Sequence, residues 1–395
     1  MPDPIRHARI GQIRARRDIF RWPLSSPVNI LAPSLPAGGT LQTTSIDFLK
    51  KLLDTPSPSG FEAAAARVWR DEAKTFADSV SADVAGNSTA VLNGDGSPRI
   101  MLAGHIDEIG VMVTHIDDEG YLYFQGIGGW DSQVLVGQRI RLLGSKGHVV
   151  GVIGKKPIHL MKNDDREKVS KIEDLWIDVG CAKRDAVLER GLRVGDPGVI
   201  DSSLVQLSED LIASRSVDNR IGAYVVLEAL RMLAKKKPKA MVAAVATAQE
   251  EIGYSGGGAR TAAYQIDPQL ALVVDVTFST DAPGIEKKEV GEHKLGGGPV
   301  LTRGSAAHAV VFERLVKVAE KEKIPYTINA APKLTSTDAD AIYLSRAGVA
   351  TGIISVPNRY MHSPNEIVSL TDLQSTAKLI AAFCADVSDK DDWTP

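Results

Sequence analysis

Only two cysteines occur in the 395 residues, Cys181 and Cys384, and they stand far apart. That excludes a disulfide framework and any Cys-x-x-Cys metal or redox site, and it suits reduced thiols in a cytoplasmic protein. No apolar run is long enough to cross a bilayer, so no membrane association is expected. Charge of one sign is not in excess either: a formal net charge of −3 carries no signature of nucleic-acid binding. There is no internal repeat. With 44% hydrophobic residues the chain can bury a large core and build two domains.

Against that plain background the pair Glu250-Glu251 stands out, placed directly after the apolar run Met241 to Ala248. Two adjacent acids at a strand terminus repel each other unless something positive holds them. One carboxylate aimed at a cation, with its neighbour left to handle a proton, is the arrangement that activates a metal-bound water. A lone Glu-Glu pair equally suits a solvated loop start. Four further segments repeat the pattern of an apolar strand or helix start beside a ligand-type residue. Ile100 to Ala103 leads into His105 and Asp107, and Leu270 to Val274 leads into Asp275. Ile353 to Val356 is followed after a turn by His362, and Asp218 opens a helix expected to run to about Leu233. In open α/β sheets the ligand site lies beyond the carboxyl ends of the strands. Imidazole with carboxylate suits zinc or its first-row neighbours, whereas an all-oxygen set would suit magnesium or calcium.

Each residue also has a structural reading. His105 suits a buried histidine, although Asp107 two residues on offers the acceptor that a metal-bound imidazole needs. Asp218 suits a helix N-cap, Asp275 a surface acid past a strand, and His362 an ordinary loop residue. His115-Ile116-Asp117 repeats the His-x-Asp spacing but precedes Asp118-Glu119-Gly120 and Tyr121 to Phe124, which predicts a hairpin turn. Of the remaining histidines, His159 alone is a candidate for the site.

Taken together, GHIDEIG at 104 to 110, GGWDSQVLVGQR at 128 to 139, SVDNRIGAY at 216 to 224, QEEIG at 249 to 253, DVT at 275 to 277 and YMHSPNE at 360 to 366 make the chain resemble the M42 family of dinuclear metallo-aminopeptidases. That group includes the glutamyl aminopeptidases and the TET peptidases. The resemblance runs from about Ser45 to Ala385. It implies His105 and Asp275 on one metal ion, Glu251 and His362 on a second, Asp218 bridging both, Glu250 as catalytic base and Asp107 orienting His105. It further implies zinc or cobalt, with manganese sharing the donors, and dimers assembling into a dodecamer. One departure is Tyr254 to Ala259, about two glycines longer than the family pattern around Gly256-Gly258. Those residues suit either a reshaped pocket or a longer turn before the next helix.

The expected fold is α/β: a mixed central sheet flanked by helices, as in zinc peptidases, with an inserted β-rich domain. A first helix is expected around Ser45 to Leu53. Ser59-Gly60-Phe61-Glu62 has the spacing of a capping box for a second. From about 112 to 206 short strands and glycine turns replace helical periodicity. The catalytic part is therefore expected in two pieces, 43–111 and 207–388, and the resemblance makes the insert a dimerisation domain. Its position between His105 and Asp218 is that of the M42 family; the related M20 carboxypeptidase and deacylase family inserts its extra domain before the last histidine. Residues 1–42, with six Arg against Asp3 and Asp18 and a Pro-rich stretch from Pro23 to Pro36, read as a loosely held arm. Arg16-Arg17 lacks the apolar core of an export signal.

The function expected is removal of N-terminal residues from short peptides with a free amine. Rival readings are amino-acid deacylation or another metal-dependent amide hydrolysis and, more remotely, glycoside hydrolysis, which needs two carboxylates across a sugar and no dinuclear centre. Lys294 and His293 in the loop 291–299 suggest an acidic substrate residue, and the same loop suits a solvated turn.

Overall fold

A computed structural model describes residues 43–253 and 256–395. The segment 1–42 read as an arm lies outside the described residues, as do Tyr254 and Ser255 in the glycine loop.

An eight-stranded mixed sheet forms the frame, in the order Ser79–Ala82, Ser88–Leu92, Met241–Thr247, Arg99–His105, Leu270–Phe278, Ala350–Asn358, Val300–Arg303 and Thr327–Ala330. The four central strands run parallel to one another. Their sequences are nearly continuous apolar runs because both faces are covered. Side chains alternate between two cores, as the two-residue period of a strand requires. Ile100, Leu102, Val242 and Ala244 join the core beneath the helices Val217–Ala234 and Leu370–Asp386. Met101, Ala103 and Val245 join the other, against the helix Gly257–Ile266.

Between the strands Arg99–His105 and Leu211–Ser214 the chain leaves this sheet and closes a six-stranded barrel. Its strands are Gly110–Ile116, Tyr121–Ile127, Trp176–Asp178, Gly147–Gly154, Arg139–Gly144 and Pro197–Ile200, in that order around the barrel. It has its own core, including Val113, Leu122, Phe124, Ile140 and Leu142. His115 lies exposed on the first barrel strand, and Asp117 accepts a hydrogen bond from the Tyr121 amide in the turn. The hairpin reading of that His-x-Asp repeat therefore stands.

One local expectation fails, and one alternative reading of a site residue is set aside. The second helix starts at Ala63, and Glu62 accepts a hydrogen bond from the Gly60 amide at 2.6 Å. The Ser59 hydroxyl finds no partner among the described residues and does not cap the helix, so there is no capping box at 59–62. Asp218 is not an N-cap, because Asn219 Oδ1 takes the Gly222 amide at 3.0 Å. The Asn219 amide group also donates to the Val274 carbonyl at 2.8 Å, tying the helix start to the strand that carries Asp275. The Asp218 carboxylate is thereby released from helix capping.

Close contact at this junction explains two glycines. A Cβ at Gly104 would stand 2.4 Å from the Gly222 carbonyl carbon, and one at Gly222 would stand 2.7 Å from the Val274 carbonyl oxygen. Helix and strand can therefore approach backbone to backbone directly beside His105.

Candidate metal centre

The parallel strands deliver their ligand-type residues to one end of the sheet. His105 closes the strand Arg99–His105 level with Thr247, Asp275 lies level with Ser355, and Glu250-Glu251 and His362 follow the ends of their strands. His105 Nε2 lies 3.2 Å from Asp218 Oδ1, 3.7 Å from Glu250 Oε2 and 3.9 Å from Asp275 Oδ1. His362 Nε2 lies 3.4 Å from Asp218 Oδ2 and 3.4 Å from Glu251 Oε2. Asp218 thus faces one imidazole with each oxygen. All six residues come together, and donor atoms of His105, Asp218 and Glu251, and likewise of His105, Glu250 and Asp275, lie within 4.8 Å of one another.

Two carboxylates set this arrangement from behind. Asp107 accepts the backbone amides of Glu250 at 3.2 Å and Glu251 at 3.1 Å, and its Oδ1 lies 3.4 Å from His105 Nδ1. Glu366 accepts the amides of Asp218 at 3.0 Å and His362 at 2.8 Å. Each carboxylate therefore grips the main chain of two site residues. A third acid, Asp338, is buried and takes the Thr247 hydroxyl at 2.5 Å.

The local backbone is costly. Ser216, Gln249, Tyr360 and His362 all have left-handed φ, between 57° and 61°. Non-glycine residues held this way cost about 1–3 kcal/mol each and cluster at functional sites.

The electrostatics fit a cation. Among the described residues Asp218, Glu250, Glu251 and Asp275 have no Lys or Arg partner, although their side chains are at most 17% exposed. Among the described residues Glu251 Oε1 and His105 Nδ1 are buried and find no hydrogen-bond partner. Burial pushes the Glu250 carboxyl up to about 10, with the charge of Asp275 and Asp338 adding to the rise. Burial likewise raises Glu251 and Asp275. Burial works against a charged His105, yet Glu250, Asp107 and Asp218 hold its imidazole well above the usual range. Contacts with Asp218 and Glu251 carry His362 up to about 11. A pocket that must borrow protons to offset its carboxylates fits divalent cations, and its mixed nitrogen and oxygen donors suit zinc or cobalt.

Other candidates fall away. His159 is exposed in a short 3-10 turn, Ile158–Leu160, and is not among the grouped donors. His293 is buried, with Nδ1 2.8 Å from the Thr327 hydroxyl, and Lys294 lies 3.4 Å from Glu292. Both side chains thus have partners beside the loop itself. The loop instead hangs on Asp372, which accepts the Gly296 and Gly298 amides. In the long glycine loop, Gly258 donates to the Ala248 carbonyl at 2.7 Å and its carbonyl accepts from Asn87 at 3.0 Å. Gly256-Gly258 thus seats the helix Gly257–Ile266 against the strand end.

Glu366, Asp338 and the carbonyl of Gly129, which is 2.8 Å from His362 Nδ1, were missed by sequence reasoning. Glu366 stands inside the motif YMHSPNE, which was its only signal. Nothing in Ser336-Thr337-Asp338 marks a buried acid.

The sequence profile of the M42 glutamyl aminopeptidases matches residues 86–379. The lysyl aminopeptidase of Pyrococcus furiosus is 37% identical over 88% of this chain and 99% of its own length. A TET aminopeptidase from a marine sediment archaeon of the Thaumarchaeota superimposes with a TM-score of 0.84 at 34% identity, covering 88% of this chain and 97% of that one. The Pyrococcus horikoshii TET1 peptidase, described as assembling into a tetrahedron or a large octahedral shell, has a TM-score of 0.77 at 32% identity, covering 87% and 100%.

Proposed function

We propose, on the premise that the chain belongs to the M42 glutamyl aminopeptidase family, that it is a cytoplasmic, metal-dependent aminopeptidase that removes N-terminal residues from short peptides. The observation that carries this reading is the group of four inward carboxylates and two imidazoles with no Lys or Arg paired to those carboxylates among the described residues. His105 and Asp275 would hold one divalent ion, Glu251 and His362 a second, with Asp218 shared; zinc and cobalt suit the donors best and manganese is compatible. Such ions supply Lewis-acid polarisation of the scissile carbonyl and a water acidified toward neutrality.

The chain's own part is proton handling and orientation. Glu250, 17% exposed at the site and held through its main-chain amide, takes a proton from the attacking water and returns it to the leaving amine. Asp107 holds the Glu250 and Glu251 main chain and stands behind His105, so the base and its neighbouring ligand keep their relative positions. The carboxylates crowding the site favour a positively charged α-amine, which fixes the first peptide bond against the nucleophile.

N-acetylation of a good substrate should therefore lower kcat/KM at least about a hundredfold, since a buried polar interaction is lost and bulk is added. Rates on glutamyl, leucyl and lysyl amides, each beside its acetylated counterpart, test this. Equal turnover of free and acetylated forms would favour a deacylase or endopeptidase instead.

The metal-free protein carries a pH signature. Glu250 and His362 keep protons in the folded chain that the unfolded chain releases above about 4.5 and 6.5 respectively, since their folded values are about 10 and about 11. Both contributions are lost as pH rises through the folded values, so stability of the metal-free protein falls between about pH 6.5 and 10. The extra His362 proton must leave when that ring takes a cation, and the charge of the cation beside Glu250 favours its ionised form as well. Zinc should accordingly raise Tm more at about pH 8.5 than at about pH 6. Scanning calorimetry with chelator and with zinc at both values checks this, and an equal shift at both would contradict it.

The insert 112–206 is assigned to dimerisation, with dimers building a dodecamer whose sites face an inner chamber. The half-exposed Val150 and Val152 on a barrel strand, and Ile158 and Leu160 just after it, support an interface there. Light scattering should find an assembly of about twelve chains; a fully active monomer at micromolar concentration would contradict it.

A further inference from the structure

The turn Gly128-Gly129-Trp130 leaves the barrel strand Tyr121–Ile127 and reaches the metal centre, where no role has yet been given to it. Its Gly129 carbonyl lies 2.8 Å from His362 Nδ1. A carbonyl only accepts, so Nδ1 carries the proton and Nε2 is left with its lone pair. That lone pair faces Asp218 Oδ2 and Glu251 Oε2, both at 3.4 Å, an arrangement that is repulsive unless a cation or a further proton lies between them.

Gly128 occupies the left-handed region at φ +74°. A Cβ there would stand 2.6 Å from Ile109 Cγ2 and 3.3 Å from Glu251 Oε2, so glycine is required by the backbone and by Ile109, and a methyl group would also crowd the Glu251 carboxylate. Trp130 anchors the turn. Its indole N–H donates to the Gly110 carbonyl at 2.7 Å, at the point where the chain enters the barrel, and its ring packs on the barrel core.

We propose that the turn 128–130 is a positioning element for one half of the site: it fixes the His362 ring and leaves the room that Glu251 needs, while behind His105 stands Asp107, two residues past the end of the His105 strand. The barrel thereby sets the affinity of the His362 and Glu251 half without touching the other. This rests on the metal-site reading above. Loss of an acceptor behind a ligating imidazole typically lowers metal affinity about 10–100-fold.

The test is calorimetric titration of the metal-free full chain with zinc ions alone. Trp130→Phe, which keeps an aromatic ring and removes the N–H, and Gly128→Ala should each weaken one of the two binding steps at least about tenfold and leave the other as in the parent. Val113→Ala, a truncation in the barrel core away from the turn, serves as the comparison for general loosening and should retain both steps. Unchanged titrations for Trp130→Phe and Gly128→Ala, or equal weakening of both steps, would overturn the proposal alone, as would the same selective loss in Val113→Ala. Absence of zinc binding by the parent chain would overturn the metal-site reading and this inference with it.

Discussion

Glu250→Gln should reduce kcat by two to four orders of magnitude while leaving metal binding intact, the usual worth of a general base. Glutamine keeps the volume and one acceptor oxygen but cannot take a proton. Asp107 grips residue 250 through its main-chain amide, so the substitution leaves the loop where it is. Glu251→Gln should act differently. Its carboxylate lies 3.4 Å from His362 Nε2 and has one oxygen buried without a partner, so the expected loss is in metal affinity. Steady-state kinetics beside metal titration separate the two acids. Full turnover by a metal-loaded Glu250→Gln protein would remove Glu250 from the base role.

The second large effect is on stability. Glu108 is buried with Oε1 2.8 Å from Arg220 and 3.0 Å from the Ser57 amide, and with Oε2 3.0 Å from Arg215. Arg220, which has no exposed surface, also donates to the carbonyls of Leu52, Leu53, Thr55, Ser57 and Ile106. One carboxylate thus pairs with two guanidinium groups that tie the first helix to the His105 strand end. Glu108→Ala should cost about 3–5 kcal/mol, because breaking a buried pair leaves uncompensated charge. Chemical denaturation measures it. Glu108→Gln, which retains one acceptor, should cost less, and a loss below about 1 kcal/mol for Glu108→Ala would mean that water reaches the network.

Much of the site was legible because a parallel strand writes itself as an apolar run, and a ligand residue at its end is a visible change of chemistry. His105 and the Glu250-Glu251 pair follow this rule, whereas Asp275 ends the apolar run but lies inside its strand, which continues to Phe278. Asp218 was less legible, since an acid at a helix start suits a cap equally well; only the Asn219 side chain on the Gly222 amide decides between them. Glu366 was hidden for a different reason. Its partners are main-chain amides of Asp218 and His362, and no side-chain pattern encodes which backbone groups a carboxylate will meet. The turn at 128–130 was visible as a motif, but the approach of its carbonyl to His362 depends on how the barrel closes. The capping-box spacing at Ser59 misled because Glu62 bonds Gly60 and also receives the Gln249 amide at 3.2 Å, a tertiary contact that local spacing does not contain.

The most direct test of metal-dependent aminopeptidase activity is hydrolysis of an aminoacyl-amide panel by chelator-stripped protein, before and after reloading with zinc, cobalt or manganese. The account predicts no turnover when stripped and recovery on reloading, with free-amine substrates only. Full turnover by the stripped protein, or recovery that extends equally to N-acetylated amides, would contradict it.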